Sequence, residues 1–196
     1  MSATIGPIHH WLYKKIKFQE DAVKALFNVE NISEDVNNLF EELPEGNLED
    51  VIDSTNIHGW LQECINIVEK RLAYTTTTLL SKGYTIDSLV KAIVPNLENS
   101  NKSITTAVDA YGLLDTYLLN GMPCDGVNKV ILDTEFELVY IETKQIHSDF
   151  WELFNGDIIN YYLIRKAMAN SILKETKFVL EINDQHEFVI KLKEKS

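Results

Sequence analysis

Two cysteines in 196 residues cannot build a disulfide framework, and no CxxC pair exists, so a reducing, cytoplasmic setting is the expectation. Glycine is scarce at eight residues, and none falls in GxGxxG, a P-loop or GxSxG. An extensive phosphate-cradling loop and a serine-hydrolase nucleophile turn are therefore not expected. HExxH, zinc-finger and EF-hand spacings are missing too. No stretch approaches the roughly 18 apolar residues that span a bilayer. The N-terminal MSATIGPIHHWLYKKIK lacks the basic-then-apolar order of a secretory signal. Positive charge is also in short supply. Lys+Arg total 18 against 30 Asp+Glu, a net charge of −12. Such a surface repels phosphate and anionic lipid, so neither nucleic acid nor membrane is an expected partner.

The shortage is local. From Ala25 to Glu69 there is no Lys or Arg, yet eleven acids: Glu30, Glu34, Asp35, Glu41, Glu42, Glu45, Glu49, Asp50, Asp53, Glu63 and Glu69. The rest of the chain is close to neutral, since −12 minus −11 leaves −1. Two readings stand open, a solvated helical face that aids solubility and a docking surface for a basic protein partner.

What is present, at 45% hydrophobic residues, is enough for a packed domain. Ile8, Leu12, Ile16, Val23 and Phe27 recur at helical spacing after Pro7, which suits a first turn. Ser33 caps a second helix with the stripe Val36, Leu39, Phe40 and Leu43, stopped at Pro44 and Gly46. Asn47 caps a short turn through Ile52. Thr55 or Asn56 opens a long helix that ends at Gly83. Another helix starts at Thr85 or Asp87 and closes at Pro95; Glu98 to Lys102 reads as loop. Ser103 to Leu119 is helical and ends at Asn120-Gly121.

Beyond this point the period changes from helical to alternating. Lys129–Asp133 and Phe136–Thr143 form a hairpin, one long helix runs from Ser148 to Leu173, and Lys177–Ile182 and His186–Leu192 form a second hairpin. The class is α+β: an N-terminal helical bundle of five to six helices over residues 1–127, then a ββαββ antiparallel sheet with one long helix over 128–196. The two parts are expected to pack as one globular unit.

An offset of 49 superimposes residues 8–20 on 57–69, both reading I-H-x-W-L-x-x-x-I-x-x-x-E. His9 and Glu20 thus match His58 and Glu69, and Trp11 matches Trp60. If an intervening helix reverses the chain, the two copies run parallel with their histidines at similar depth. A third echo, Ile146-His147 followed by Phe150-Trp151, brings every tryptophan close behind a histidine. Neutral imidazole is a common ligand for zinc and haem iron. His9, His58 and His147, with Cys124, are accordingly the candidate metal ligands, and Trp11, Trp60 and Trp151 the aromatic walls of a pocket for a small molecule or metal cofactor. The competing reading makes the histidines hydrogen-bonded core residues and the tryptophans packing anchors.

Cys124, in Gly121-Met-Pro-Cys-Asp-Gly126, is the candidate thiol nucleophile of a third reading, a thiol-dependent enzyme; Cys64 lies on an apolar stripe and is expected in the core. The leading expectation is a small-ligand-binding protein with a zinc or haem site. The alternatives are a non-catalytic interaction protein, docking a basic partner through residues 25–69, and the thiol enzyme. A homodimer is compatible with any of them.

Overall fold

The computed structural model describes residues 5–94 and 104–194. Within them lie eight α-helices and four strands: α1 (Pro7–Leu26), α2 (Ser33–Leu39), α3 (Leu48–Val51), α4 (Ile57–Ser81), α5 (Ile86–Ile93), α6 (Ala107–Tyr117), β1 (Asn128–Asp133), β2 (Glu137–Glu142), α7 (Ser148–Glu152), α8 (Ile158–Ile172), β3 (Phe178–Ile182) and β4 (Phe188–Leu192). This is an α+β fold.

The starts of α1, α4, α5 and α6 follow their capping chemistry. Ser33, expected as the cap of α2, is instead its first helical residue with no side-chain cap before it, and α2 ends at Leu39 instead of Pro44. Pro7 occupies the first turn of α1, and the Asn56 side chain accepts from Gly59 N at 3.2 Å to open α4. Thr85 with Ser88, and Thr106 with Asp109, form reciprocal boxes that satisfy otherwise orphaned N–H groups. α1 and α4 run parallel, because contacts between them keep a near-constant offset: His9 to His58, Gln19 to Glu69 and Glu20 to Arg71 are 49, 50 and 51 residues apart.

The four strands are ordered β1-β2-β4-β3, every neighbour antiparallel. Alternation selects the buried face. Leu138 and Tyr140 of β2, Phe178 and Leu180 of β3, and Phe188 and Ile190 of β4 are buried, and helices α6 and α8 contact the sheet. Val139, between Leu138 and Tyr140, is buried as well and departs from the pattern. One buried cluster joins these residues to Val23, Leu26, Leu72, Leu114 and Trp151. It therefore draws on both sides of the boundary at 127/128. A second cluster, built from Leu12, Ile16, Leu61, Ile65 and Val68, fills the α1–α4 seam, with Leu43 and Leu48 of the connecting segment inserted into it.

Several expectations need correction. The single helix from Ser148 to Leu173 is two helices, broken at Leu153–Asp157, where Asn155 takes a left-handed φ of 56°. Gly156 fits the bend because a Cβ there would run into Thr77 Oγ1 and stand 3.0 Å from Trp151 Cε3. Ile8 and Leu39, expected to face inward, are exposed. α6 begins at Ala107, capped by Thr106; the expected start at Ser103, the Glu98–Lys102 loop and the stop at Pro95 lie outside the described residues. The acidic stretch is not one helical face. Between α1 and α4 it is mostly extended and turn structure carrying the short helices α2 and α3.

Candidate functional site

The three candidate histidines fall into two groups. His9 and His58 sit in the first turns of α1 and α4, and the parallel packing brings their rings to 5.5 Å between centroids, with Nε2 atoms 3.4 Å apart. His58 is exposed and His9 partly so. Gly6 N donates to His9 Nδ1 at 2.9 Å, so in the neutral ring the His9 proton sits on Nε2 and points at His58 Nε2. His10 is on the outer side, 3.2 Å from Glu49.

His147 is elsewhere. It is buried and contacts Glu69, which is 11 residues, or about 16 Å of helix, beyond His58. The three imidazoles therefore do not share one centre. Among the described residues, no group of three or more His, Cys, Asp or Glu side chains is arranged to hold a metal.

The tryptophans do not line a common pocket either. Trp11 lies under the Lys15 ammonium (4.0 Å), Trp60 packs on the Tyr13 ring (5.7 Å), and Trp151 is fully buried with its ring 6.4 Å from Tyr161. Cys124 is exposed on a 3-10 turn at Pro123–Asp125. Cys64 is buried as expected, and desolvation, assisted by the Glu63 charge, pushes its pKa up to about 12.

What surrounds His147 is a buried polar chain crossing five parts of the fold. His147 Nδ1 donates to Glu69 Oε2 (3.1 Å), while Gln19 Nε2 of α1 donates to Glu69 Oε1 (2.9 Å). The His147 Nε2 atom lies 2.8 Å from the Tyr161 hydroxyl and 2.9 Å from Asn120 Oδ1. A neutral ring accepts from the tyrosine there; a charged one donates to the amide oxygen. Arg165 Nη1 closes the chain by donating to Tyr161 Oη (3.0 Å) and to the Leu119 carbonyl (2.6 Å).

Electrostatics keep the two ends of that chain oppositely charged. Burial drives the Glu69 pKa up, but the His147 ring, the Gln19 amide and the Arg165 charge together outweigh it, leaving the carboxyl below its ordinary value. Burial likewise works against the Arg165 cation and is overcome by the tyrosines and carboxylates around it, while Tyr161 is held well above its usual pKa by burial. A carboxylate, an imidazole and a phenol in series could relay a proton, with the Arg165 guanidinium a fixed cation beside them. The space found beside them is small. Cavities beside them, one lined by Gln19, Tyr161 and Arg165 and another by Asp115, Tyr140 and Arg165, measure about 10 Å³ each, the room of a single water.

Glu20, the counterpart of Glu69, has a different partner. It takes a two-pronged bond from Arg71, Nε to Oε2 at 3.1 Å and Nη2 to Oε1 at 2.9 Å, with Arg71 Nη1 also reaching Asn37 Oδ1 of α2 at 3.1 Å. Sequence reasoning missed both arginines. The signal was there: among 18 cations the chain has two arginines, and each stands on the inward stripe of its helix, Arg71 between Val68 and Leu72, Arg165 between Tyr161 and Ala169. A planar, always-charged fork is the cation that a buried carboxylate or carbonyl can accommodate.

At the surface, nine of the eleven carboxylates between Ala25 and Glu69 are exposed. Glu30 is bound to Lys82 at 2.6 Å, and Glu69 is the buried one. The segment carrying them is held down by the buried side chains of Ile32, Val36, Leu43 and Leu48. Compared with known proteins, the chain matches no family model, no curated protein and no solved structure. No helix among the described residues is long and apolar enough to cross a membrane.

Proposed function

We propose that this protein is a non-catalytic interaction protein that docks a basic partner through its acidic segment. The observation that carries the reading is the concentration of exposed carboxylates at Glu34, Asp35, Glu41, Glu42, Glu45, Glu49, Asp50, Asp53 and Glu63 on a segment without Lys or Arg. Anchoring at Val36, Leu43 and Leu48 presents those charges on a pre-arranged surface, so little ordering entropy opposes binding. Summed like charge of this kind steers an oppositely charged partner and sets the encounter rate. A lysine-rich peptide is the direct probe. Binding should weaken steeply between about 50 and 200 mM salt, and replacing Glu41, Glu42 and Glu45 together with Gln should weaken it about tenfold or more at low salt. Salt-independent binding, or binding unchanged in the triple variant, would overturn the reading.

One observation favours a second reading, a transition-metal site at His9 and His58. Two nitrogens bound at 2.0–2.1 Å to a tetrahedral zinc are about 3.3 Å apart, and the Nε2 atoms stand at 3.4 Å. Two costs oppose it. A metal on His9 Nε2 moves the ring proton to Nδ1 and breaks the Gly6 N–H bond, and the positive ends of two helices repel a cation. Zinc titration separates the readings: a rise in melting temperature that disappears in His58→Ala supports the metal site, and no rise with either chain removes it.

A further inference from the structure

Leu153, Leu39 and Ile159, at 61%, 59% and 57% exposure, are the three most exposed large apolar side chains among the described residues. Two of them flank one aromatic contact. Leu39 and Leu153 are the chain neighbours of Phe40 and Phe154, whose rings meet edge-to-face at 5.6 Å. Tyr74 of α4 completes a three-ring cluster beneath them, 5.4 Å from each phenylalanine. Ile159 starts α8 just past the Leu153–Asp157 bend, and Leu163, one turn on, is exposed as well. A rigid aromatic base thus carries exposed aliphatic side chains on both flanks. Apolar side chains of this size gathered in one place, rather than scattered, mark an interaction surface.

The charge around the patch selects its occupant. Residues 25–69 have no Lys or Arg, and neither have residues 145–164, the two segments that carry the exposed aliphatic side chains. Within those two segments the exposed ionic groups around the patch residues are acids, Glu34, Asp35, Glu41 and Glu42 on one flank and Asp149, Glu152 and Asp157 on the other. Exposed Lys144 and partly exposed Lys70 and Lys166 stand just outside them in sequence. An apolar seat with an anionic rim fits a helix whose apolar stripe is bordered by Lys and Arg. It disfavours a second copy of this chain, which would bring like charge against like. We propose that the surface around the Phe40–Phe154 contact is the seat of a short basic amphipathic helix presented by a partner protein. This rests on the reading that the acidic segment recruits a basic partner and adds the apolar half of the recognition.

The test uses two labelled peptides of equal length and charge, one a leucine–lysine amphipathic helix and the other lysine with serine in place of leucine, in fluorescence anisotropy against the full chain. The amphipathic peptide should bind about tenfold tighter or more, the yield of moving two half-exposed leucines out of water. The double variant Leu39→Ser/Leu153→Ser should erase that advantage while leaving the serine peptide's affinity unchanged. The Glu41/Glu42/Glu45→Gln variant should weaken both peptides. All substituted side chains are exposed, so unchanged urea midpoints should verify that each variant is folded. If the serine peptide binds as expected but the leucine advantage is absent, or survives the double variant, the apolar seat is wrong and acidic docking stands. If neither peptide binds, both proposals fall. Sedimentation adds one more decisive outcome: a dimer that Leu39→Ser/Leu153→Ser converts to monomer would make the patch a self-interface and overturn the proposal.

Discussion

Glu20→Gln removes one charge from a pair that is sealed from water. The Glu20 and Arg71 side chains are 1% and 0% exposed, and two of the guanidinium's three hydrogen bonds end on that carboxylate. A glutamine can accept one of them and cannot neutralise the cation. Breaking a buried pair from one side costs about 3–5 kcal/mol, a large part of the 5–15 kcal/mol that holds a typical domain folded. At about 2–4 °C per kcal/mol for a chain of this size, the melting temperature should fall by roughly 6–20 °C.

Arg71→Met attacks the same pair from the other side, with a different pH signature. Burial already lifts the Glu20 carboxyl above its ordinary pKa despite the pull of Arg71. Without the arginine it is raised further and folds with its proton on. A carboxyl with a raised folded pKa contributes its full stability below the unfolded pKa of about 4.3 and loses it as pH rises toward the folded value. The Arg71→Met deficit should therefore grow as pH rises past the native folded value. Glu20→Gln abolishes the titrating group, so its deficit narrows as pH rises toward that value and is constant above it. Glu20→Leu/Arg71→Met removes both charges and should recover most of the loss, leaving the Asn37 carbonyl as the unpaired remnant. Urea unfolding followed by far-UV circular dichroism, at constant m-value, measures all of these. A Glu20→Gln cost below about 1 kcal/mol, or a double variant as weak as the two single losses added, would refute the reasoning.

Three further outcomes follow from the same structure. The Glu69 carboxyl is depressed, so its contribution is present above the unfolded pKa of about 4.3 and lost as pH falls through the folded value; the stability gap between the native chain and Glu69→Gln should be wide at pH 7 and narrow steadily in acid urea titrations. With DTNB at pH 8, Cys124 should react at once and Cys64 only on unfolding, because Cys64 is buried with its pKa pushed up to about 12; two fast thiols in the native chain would contradict the burial. Gly156→Ala sets a methyl group against Thr77 and the Trp151 ring, and should cost about 1–3 kcal/mol with a change in near-UV dichroism.

Exposure alone makes Cys124 the faster thiol, so selective labelling says nothing about catalysis.

Local chemistry was legible where it acts over a few residues. Thr85 and Asn56 announce their helices, and the alternation Phe178, Leu180, Ile182 against Phe188, Ile190, Leu192 announces a hairpin that the register pairs as expected. The break after α7 was legible in principle, since Asn155-Gly156 is a turn dipeptide, but the aromatic run on both sides of it looks like one continuous helical stripe. The His147–Glu69 bond spans 78 residues, and no local pattern encodes it. The pairing of α1 with α4 was readable only as a conditional, requiring a reversal by residues that turn out to be mostly irregular.

The matched positions of the two thirteen-residue segments show why identical residues need not share a role. Both histidines lie in first turns, where α1 and α4 emerge at the surface, and so they meet each other. Both glutamates lie eleven residues deeper, where the seam is closed, and a buried carboxylate must find a cation or donors. Their neighbours differ. Glu20 looks across to α4 and finds Arg71; Glu69 finds Gln19 of α1 on one side and His147 on the other. Each solution ties a different piece of the chain to the helix pair: Arg71 reaches Asn37 of the acidic segment, and His147 leads through Tyr161 to Arg165 of α8. The buried charges are thus framework. They hold in place the two segments that flank the Phe40–Phe154 contact, which is the surface where recognition is proposed.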